Sequence, residues 1–235
     1  MDRGCLYLIP SPLGEGPVEA VLPAGVLAVL PSLKCFVVEE VRTARRFLSA
    51  AGLKGHIQEL EFHTLNEHTQ PQEVEALSGL FDGGRNVGLI SEAGLPAVAD
   101  PGAALVALCH RHGIKVVPLT GPSSLMLALM ASGLNGQSFA FAGYIPAKTD
   151  ERKAAIRRLE KRSLAENQTQ ILIETPYRND SLMADLVSTL DPRTRLCVAL
   201  NITSEDEFIQ TRSAAQWKKQ LPVLGKRPCV FLFLA

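Results

Sequence analysis

The sequence predicts an α/β protein of two domains, with a parallel sheet in the N-terminal domain and a mixed sheet in the C-terminal one. Three observations lead to this class. Strand-like and helix-like segments alternate through the first half, the pattern of βαβ units. Beyond residue 120 the strand-like runs include hairpin-like neighbours, which a purely parallel sheet does not contain. The 235 residues are 46% hydrophobic and 20% charged, a composition that builds a packed core rather than a disordered chain. The domains are placed at 1–119 and 120–235.

In the first half, strands are expected over 6–10, 36–39, 57–62, 87–90 and 114–119. Helices are expected between them over 23–30, 43–51, 72–82 and 101–112. The helix at 101–112 is well punctuated. Asp100 suits its cap, Pro101 its first turn and Gly113 its end, while Leu105, Leu108 and His112 share one face. In the second half, "PSSLMLALMASG" reads as an apolar helix that starts at Ser123 or Ser124 and stops at Gly133. The aromatic stretch "SFAFAGYIP" and a basic helix over 150–162 follow. "TQILIE" is a strand, and Asn179 is expected to cap a helix that runs through Leu182, Leu186 and Leu190 to Asp191-Pro192. "RLCVALNIT" and "PCVFLFL" complete the set as strands.

Composition narrows the function classes. No apolar run approaches the ~18 residues of a membrane span. The opening "MDRGCLYLIP" enters a strand directly and lacks the apolar h-region of a leader, so a cytoplasmic protein is expected. Lys plus Arg and Asp plus Glu each number 24. That balance lacks the basic excess of a dedicated nucleic-acid binder. The five cysteines are scattered, without C-x-x-C, and read as small buried hydrophobes. His110 and His112 lie two apart on a helix, so they do not share a face, and His63 and His68 lack a matching cluster. No metal is expected.

The candidate site residues sit after strands. Ligands of open parallel sheets bind outside the carboxyl ends of the strands. "GLISEAGLPAVADPG" leaves a strand at that edge without the G-x-G-x-x-G or G-K-[ST] of a phosphate cradle. Gly94 allows close backbone approach there, and Pro96 stiffens the loop. "LIPSPLGEGP" is stiffer than a short connection needs. "PLTGPSSL" offers Ser123 and Ser124 beside a helix N-terminus, which suits a polar ligand group. "IETPYRN" places Glu174, Tyr177 and Arg178 straight after a strand. "VVEEVRTARRFL" places Glu39, Glu40, Arg42 and Thr43 likewise, where charge at a helix start is an equally good account. The basic helix "ERKAAIRRLEKRS" fits an anionic partner or a solvated face.

These segments in this order, together with "GYIPAK", resemble the tetrapyrrole methylase superfamily of S-adenosylmethionine-dependent methyltransferases. The likeness covers nearly the whole chain. It is closest to the branch of small-subunit rRNA methyltransferase I proteins, which methylate a ribose 2′-hydroxyl of 16S rRNA. It stops short of the C-terminal extension those proteins carry. Two departures stand out: Ser91-Glu92-Ala93-Gly94-Leu95-Pro96 where that branch has Ser-Asp-Ala-Gly-Thr-Pro, and Glu39-Glu40-Val41-Arg42 where it has Glu-Asp-Thr-Arg. The resemblance implies a homodimer of two-domain subunits with the cofactor between the domains. It implies cofactor contacts at Pro12, Leu13 and Gly14, at Ser91, Glu92, Gly94, Leu95 and Pro96, and at Ser123, Ser124 and Leu125. Further contacts are implied at Tyr177 and at Ala199, Leu200 and Asn201.

The expected function is methyl transfer from S-adenosylmethionine to RNA or a related polar substrate, with S-adenosylhomocysteine as product. A ribose hydroxyl benefits from a general base, and Glu40 and Glu174, carboxylates near strand ends, are the candidates. Two alternatives stand beside it: methylation of a porphyrin or corrin precursor, and a cofactor-binding protein without transfer activity.

Overall fold

The computed structural model describes residues 3–235; Met1 and Asp2, part of the opening stretch read above, lie outside the described residues. The chain divides into two compact units, Met1–Ser123 and Ser124–Ala235.

Unit 1 carries β1 (Cys5–Ile9), β2 (Cys35–Val38), β3 (Glu61–Thr64), β4 (Val87–Ile90) and β5 (Lys115–Pro118). All pairs are parallel, in the order β3-β2-β4-β1-β5. The short apolar runs of β2 and β4 are buried on both faces, as a covered parallel sheet requires. One face, through Ile9, Phe36, Val38 and Ile90, packs on Leu30, Ala44, Phe47 and Leu48, from the region of α1 (Ala24–Val29) and from α2 (Val41–Leu48). The other, through Leu6, Val37, Val87 and Leu89, packs on Leu77, Phe81, Leu105 and Leu108. These come from the segment after α3 (Pro71–Ala76) and from α4 (Gly102–Arg111).

The segment at 57–62 departs from the expected strand. Ile57–Glu59 forms a 3-10 turn, and the strand begins at Glu61. His56 Nδ1 and Glu59 Oε1 meet at 3.0 Å and close that turn, and the β2 partner offers only the register Cys35↔Glu61 to Val38↔Thr64. The start of α4 follows the expected punctuation with an addition. Asp100 Oδ1 accepts from the Gly102 N–H at 2.7 Å and also from the Ala97 N–H at 2.8 Å.

Unit 2 opens with α5 (Ser124–Ser132) and carries a five-stranded mixed sheet, ordered β6-β7-β10-β8-β9. Its strands are β6 (Phe139–Gly143), β7 (Thr169–Ile173), β8 (Arg195–Leu200), β9 (Phe208–Ser213) and β10 (Cys229–Leu234). Only β6 and β7 pair in parallel; the other neighbours are antiparallel. The core joins the sheet to α6 (Thr149–Glu166), α7 (Asn179–Thr189) and α8 (Ala214–Lys219) through residues including Ile156, Leu186, Phe231 and Trp217.

β9 and α8 escaped the sequence reading, although Ser213 and Gln216 form the reciprocal cap that marks a helix start. Asn179 does not cap α7. It is the first helical residue, and its Nδ2 donates to the Arg227 carbonyl at 2.7 Å. The basic helix also turns part of its charge inward. Arg152 is buried, its Nε donating to Asp185 Oδ2 at 2.6 Å and its Nη2 to Ser181 Oγ at 2.7 Å, which ties α6 to α7.

Candidate active site

The strand order of unit 1 creates a crevice. β1 exits toward β2 on one side, while its neighbour β4 exits toward β5 on the other. With right-handed crossovers their following helices lie on opposite faces of the sheet, as the two separate packing clusters show. The loops after adjacent β1 and β4 therefore diverge, which is where doubly wound sheets accept ligands.

Three of the loops singled out from sequence meet at this edge. Beyond the strand ends, Ser11 and Gly94 exchange backbone hydrogen bonds, N–H to carbonyl in each direction, at 2.9 and 3.1 Å. The buried Ser11 hydroxyl donates to the Ser91 carbonyl at 3.0 Å. Gly94 has φ +78°, and a Cβ there would stand 3.1 Å from Leu13 Cδ2 and 3.5 Å from the Pro122 carbonyl oxygen. A Cβ on Gly121 would collide with Pro10. The β1, β4 and β5 loops thus pack as one body. Gly14 and Glu92 are exposed on it, Pro12, Leu13 and Leu95 are half-buried, and Ser91 and Pro96 are buried.

The loop is also strained. Ala97 and Ala99 both adopt positive φ, 66° and 60°, a conformation costing a side-chain-bearing residue ~1–2 kcal/mol. The Asp100 carboxylate holds this backbone, and burial raises its pKa above the ordinary aspartate value. Such strain persists where surrounding structure enforces it, and it gathers at ligand-binding segments.

The next strand adds a carboxylate. Glu39 follows β2, and its Oε1 accepts from the Glu92 N–H at 3.3 Å. Burial, the largest effect, raises its pKa above 4.5; the Glu92 N–H opposes this, and Asp100 and Glu92 add to it by repulsion. Glu40, the candidate base of this pair, is instead the cap of α2: its Oε1 accepts from the Arg42 N–H at 3.0 Å. Sequence reading grouped the two glutamates without separating these roles. It also missed Ser11, whose position between two prolines in "IPSPLG" was the available signal.

In unit 2, Glu174 closes β7 with its side chain wholly buried. Its Oε1 accepts from the Thr175 N–H and hydroxyl and from Arg178 Nε and Nη2, the last at 2.6 Å. No substrate hydroxyl can approach this carboxylate, so its place is structural rather than that of a base. Tyr177 is 70% exposed, with the Arg178 guanidinium 5.6 Å from its ring centroid. Ala199 and Leu200 are buried, their main chains taken up by β10 and β9 on either side. Asn201, at the end of β8, is half-buried in a left-handed conformation, with its Nδ2 donating to Asp206. Ser124 is half-buried at the start of α5, and Leu125 is buried.

Among the described residues, Cys35, Glu61 and His63 place potential metal-ligating atoms within 4.8 Å of one another. That carboxylate is already engaged by Arg85 and by His63. Cys35 is buried, and burial pushes its thiol up to about 11.

The model of the Tetrapyrrole (Corrin/Porphyrin) Methylases family matches residues 19–216. The chain belongs to this family. This methylase is 32% identical over 208 residues to the ribosomal RNA small subunit methyltransferase I of Escherichia coli O157:H7, which covers 88% of this chain and 68% of that protein. It is 34% identical over 224 residues to the protein of the same name from Neisseria meningitidis serogroup B, covering 95% and 72%. Its fold matches the crystal structure of the methyltransferase CobJ with a TM-score of 0.67 at 16% identity, over 98% of this chain and 94% of that one. It also matches uroporphyrin-III C-methyl transferase from Thermus thermophilus complexed with S-adenosylhomocysteine, with a TM-score of 0.58 at 18% identity, over 98% and 97%.

The methylase is an S-adenosylmethionine-dependent methyltransferase. The edge of unit 1 suits that cofactor's chemistry. Its loops, 10–17, 91–102 and 118–123, contain no lysine or arginine, so nothing there is built to neutralise a phosphate. They offer backbone groups, the Ser91 hydroxyl and the carboxylate of Glu92, with Glu39 beside them. That donor set fits an ammonium, a ribose diol and a sulfonium. Among the described residues, no helix is long and apolar enough to cross a membrane.

Proposed function

We propose that this methylase transfers its methyl group to a ribose 2′-hydroxyl of ribosomal RNA, in the cytoplasm and as a homodimer. The observation that carries the acceptor is the identity of about one residue in three, over most of the chain, with proteins named for methylation of small-subunit ribosomal RNA. The surface of α6 supports it. Arg157, Arg158 and Lys161 are exposed opposite the buried stripe Ala155, Ile156, Leu159 and Ser163, a stripe of charge suited to phosphates. Zero net charge accommodates this because the cations are clustered.

When bound, the cofactor supplies an activated methyl group and its own leaving group. The residues around it then have to bind, align and exclude water. The Pro12–Gly14 turn and the Ser91–Pro96 loop, locked together through Ser11 and Gly94, are the proposed cofactor contacts of unit 1, with Ser123. Ser124 and Asn201 are those of unit 2. Glu39 replaces Glu40 as the proposed base: it stands beside the cofactor loop, and its burial makes the carboxylate a stronger proton acceptor than a solvated one.

The homodimer rests on an apolar face of unit 2. Met126 and Met130 lie one turn apart on α5, and Phe139 and Phe141 alternate on the edge strand β6; all four are exposed, Met130 by 79%. Contiguous apolar surface of this kind marks association sites.

The test is methyl transfer from labelled S-adenosylmethionine into an extract of cells lacking this chain, separated into RNA, protein and small molecules. Label in small-subunit ribosomal RNA, at an alkali-resistant ribose, is expected. Label in a tetrapyrrole instead replaces the acceptor. Cofactor binding without transfer to any fraction replaces the enzyme reading.

A further inference from the structure

Tyr144 and Tyr177 are large aromatic residues left 56% and 70% exposed. They belong to "GYIPAK" and "IETPYRN", two motifs whose exposed rings the cofactor chemistry does not explain. The fold brings them to one place. β6 and β7 are adjacent and parallel, with Gly143 opposite Leu172. Tyr144 follows β6 directly, and Tyr177 lies in the 3-10 turn after β7. Both rings therefore stand at the carboxyl edge of the same strand pair.

Arg178 joins them. Its guanidinium lies 5.6 Å from the Tyr177 ring centroid, and the Tyr144 phenol acts electrostatically on the same cation. The arginine does not wander. Glu174, whose side chain has no exposed surface, holds Nε and Nη2 at 3.0 and 2.6 Å. This explains a buried carboxylate that has no catalytic access: it fixes a planar cation beside an exposed ring. Stability alone does not require two exposed tyrosines, because exposing an aromatic ring forgoes its burial energy.

We propose that Tyr144, Tyr177 and Arg178 form a stacking platform for an unpaired base of the RNA substrate. Sequence-specific recognition of RNA works on unstacked bases, which pack against aromatic rings and arginine planes. The platform is neutral on its aromatic part and cationic at one edge, so it takes a base flanked by a phosphate. The stripe of Arg157, Arg158 and Lys161 on α6, in the same unit, carries the backbone of the strand. The inference rests on RNA as the acceptor. It also moves Tyr177 from the cofactor contacts to the acceptor contacts.

The experiment uses the full chain and a single-stranded RNA oligonucleotide carrying 2-aminopurine, whose fluorescence is quenched when it stacks. Wild type is expected to quench it. Tyr144→Ala and Tyr177→Ala are each expected to weaken binding about tenfold, within the range measured for removing one stacking ring. Tyr144→Phe and Tyr177→Phe are expected to bind within about twofold of wild type, because the ring and not the hydroxyl does the stacking. The affinity for S-adenosylhomocysteine and the oligomeric state stay unchanged in all four variants. Three results overturn the platform: alanine variants that bind RNA as wild type does, loss of cofactor affinity in Tyr177→Ala, or a change of oligomeric state. If wild type methylates RNA and the alanine variants are unaffected, only the platform fails. If wild type neither binds nor methylates RNA, the acceptor assignment fails with it.

Discussion

Ser11 and Gly94 bind each other through both of their backbone hydrogen bonds, across the ends of two parallel strands. The pairing is antiparallel although β1 and β4 are parallel, so both loops have turned before they meet. The crevice edge is set by this contact before any ligand arrives.

Gly94→Ala tests that lock. Alanine at φ +78° carries a left-handed penalty of ~1–2 kcal/mol, and its Cβ presses on Leu13 at 3.1 Å. A lower melting temperature and about tenfold weaker binding of S-adenosylhomocysteine are expected, read by thermal melts and titration calorimetry. Unchanged affinity with lowered stability would separate this loop from the cofactor.

The paired glutamates of β2 and α2 separate by variant. Glu39→Gln is expected to reduce turnover at least tenfold while cofactor affinity holds within a few-fold. Glu40→Ala is expected to cost ~1 kcal/mol of stability through its lost cap, with little change in turnover per folded molecule. The pH profile carries the sign. Burial raises the Glu39 pKa above 4.5, so its base form is lost, as pH falls, earlier than that of a solvated glutamate. The acid limb of turnover should lie above 4.5 and disappear in Glu39→Gln. A limb that persists in that variant assigns it to another group.

Met130→Asp probes the apolar face of α5 and β6. A charge at a position 79% exposed leaves the folded subunit intact and opposes burial against a second copy. Light scattering on a sizing column is expected to find a dimer for wild type and a monomer for the variant. Wild type that elutes as a monomer at micromolar concentration removes the homodimer.

Acid should weaken unit 1 through Glu61 and Glu75. Hydrogen bonds from Arg85 and His63 lower the pKa of Glu61, and those from His112 and Arg111 lower that of Glu75. A carboxyl lowered in the folded state contributes stability above its unfolded value, here 4.5. That contribution is lost as pH falls through the folded value. Glu39 and Asp100, both raised, act in the opposite sense and soften the decline. Denaturant melts between pH 6 and pH 3 should show a shallower loss in the Glu61→Gln, Glu75→Gln double variant than in wild type.

The strands of unit 1 were legible because each is a short apolar run closed by glycine, proline or charge. Their order was not, since nothing local to Val87–Ile90 says that it lies between β1 and β2. The loops of the site were legible as loops that hold something, through Gly94, Pro96 and the prolines after β1. The Ser11–Gly94 pairing was invisible because it joins residues far apart in sequence through backbone atoms, which leave no trace in residue type. β9 was missed because it is a half-buried edge strand, "FIQTRS", without a clean alternation. Glu174 drew attention as a carboxylate at a strand end; only its burial and four donors show that it serves Arg178.

The position of β10 bears on how the molecule is made. Its six residues, Cys229–Leu234, lie between β7 and β8 in the middle of their sheet. A ribosome that has delivered everything up to β9 has still delivered no complete unit 2, because β7 and β8 have no partner between them. The five strands of unit 1, contiguous in the first half of the chain, are free to fold as they emerge. Clipping the residues from 229 onward would therefore not trim a tail. It would withdraw the keystone of a sheet and leave a nascent chain for chaperones to hold.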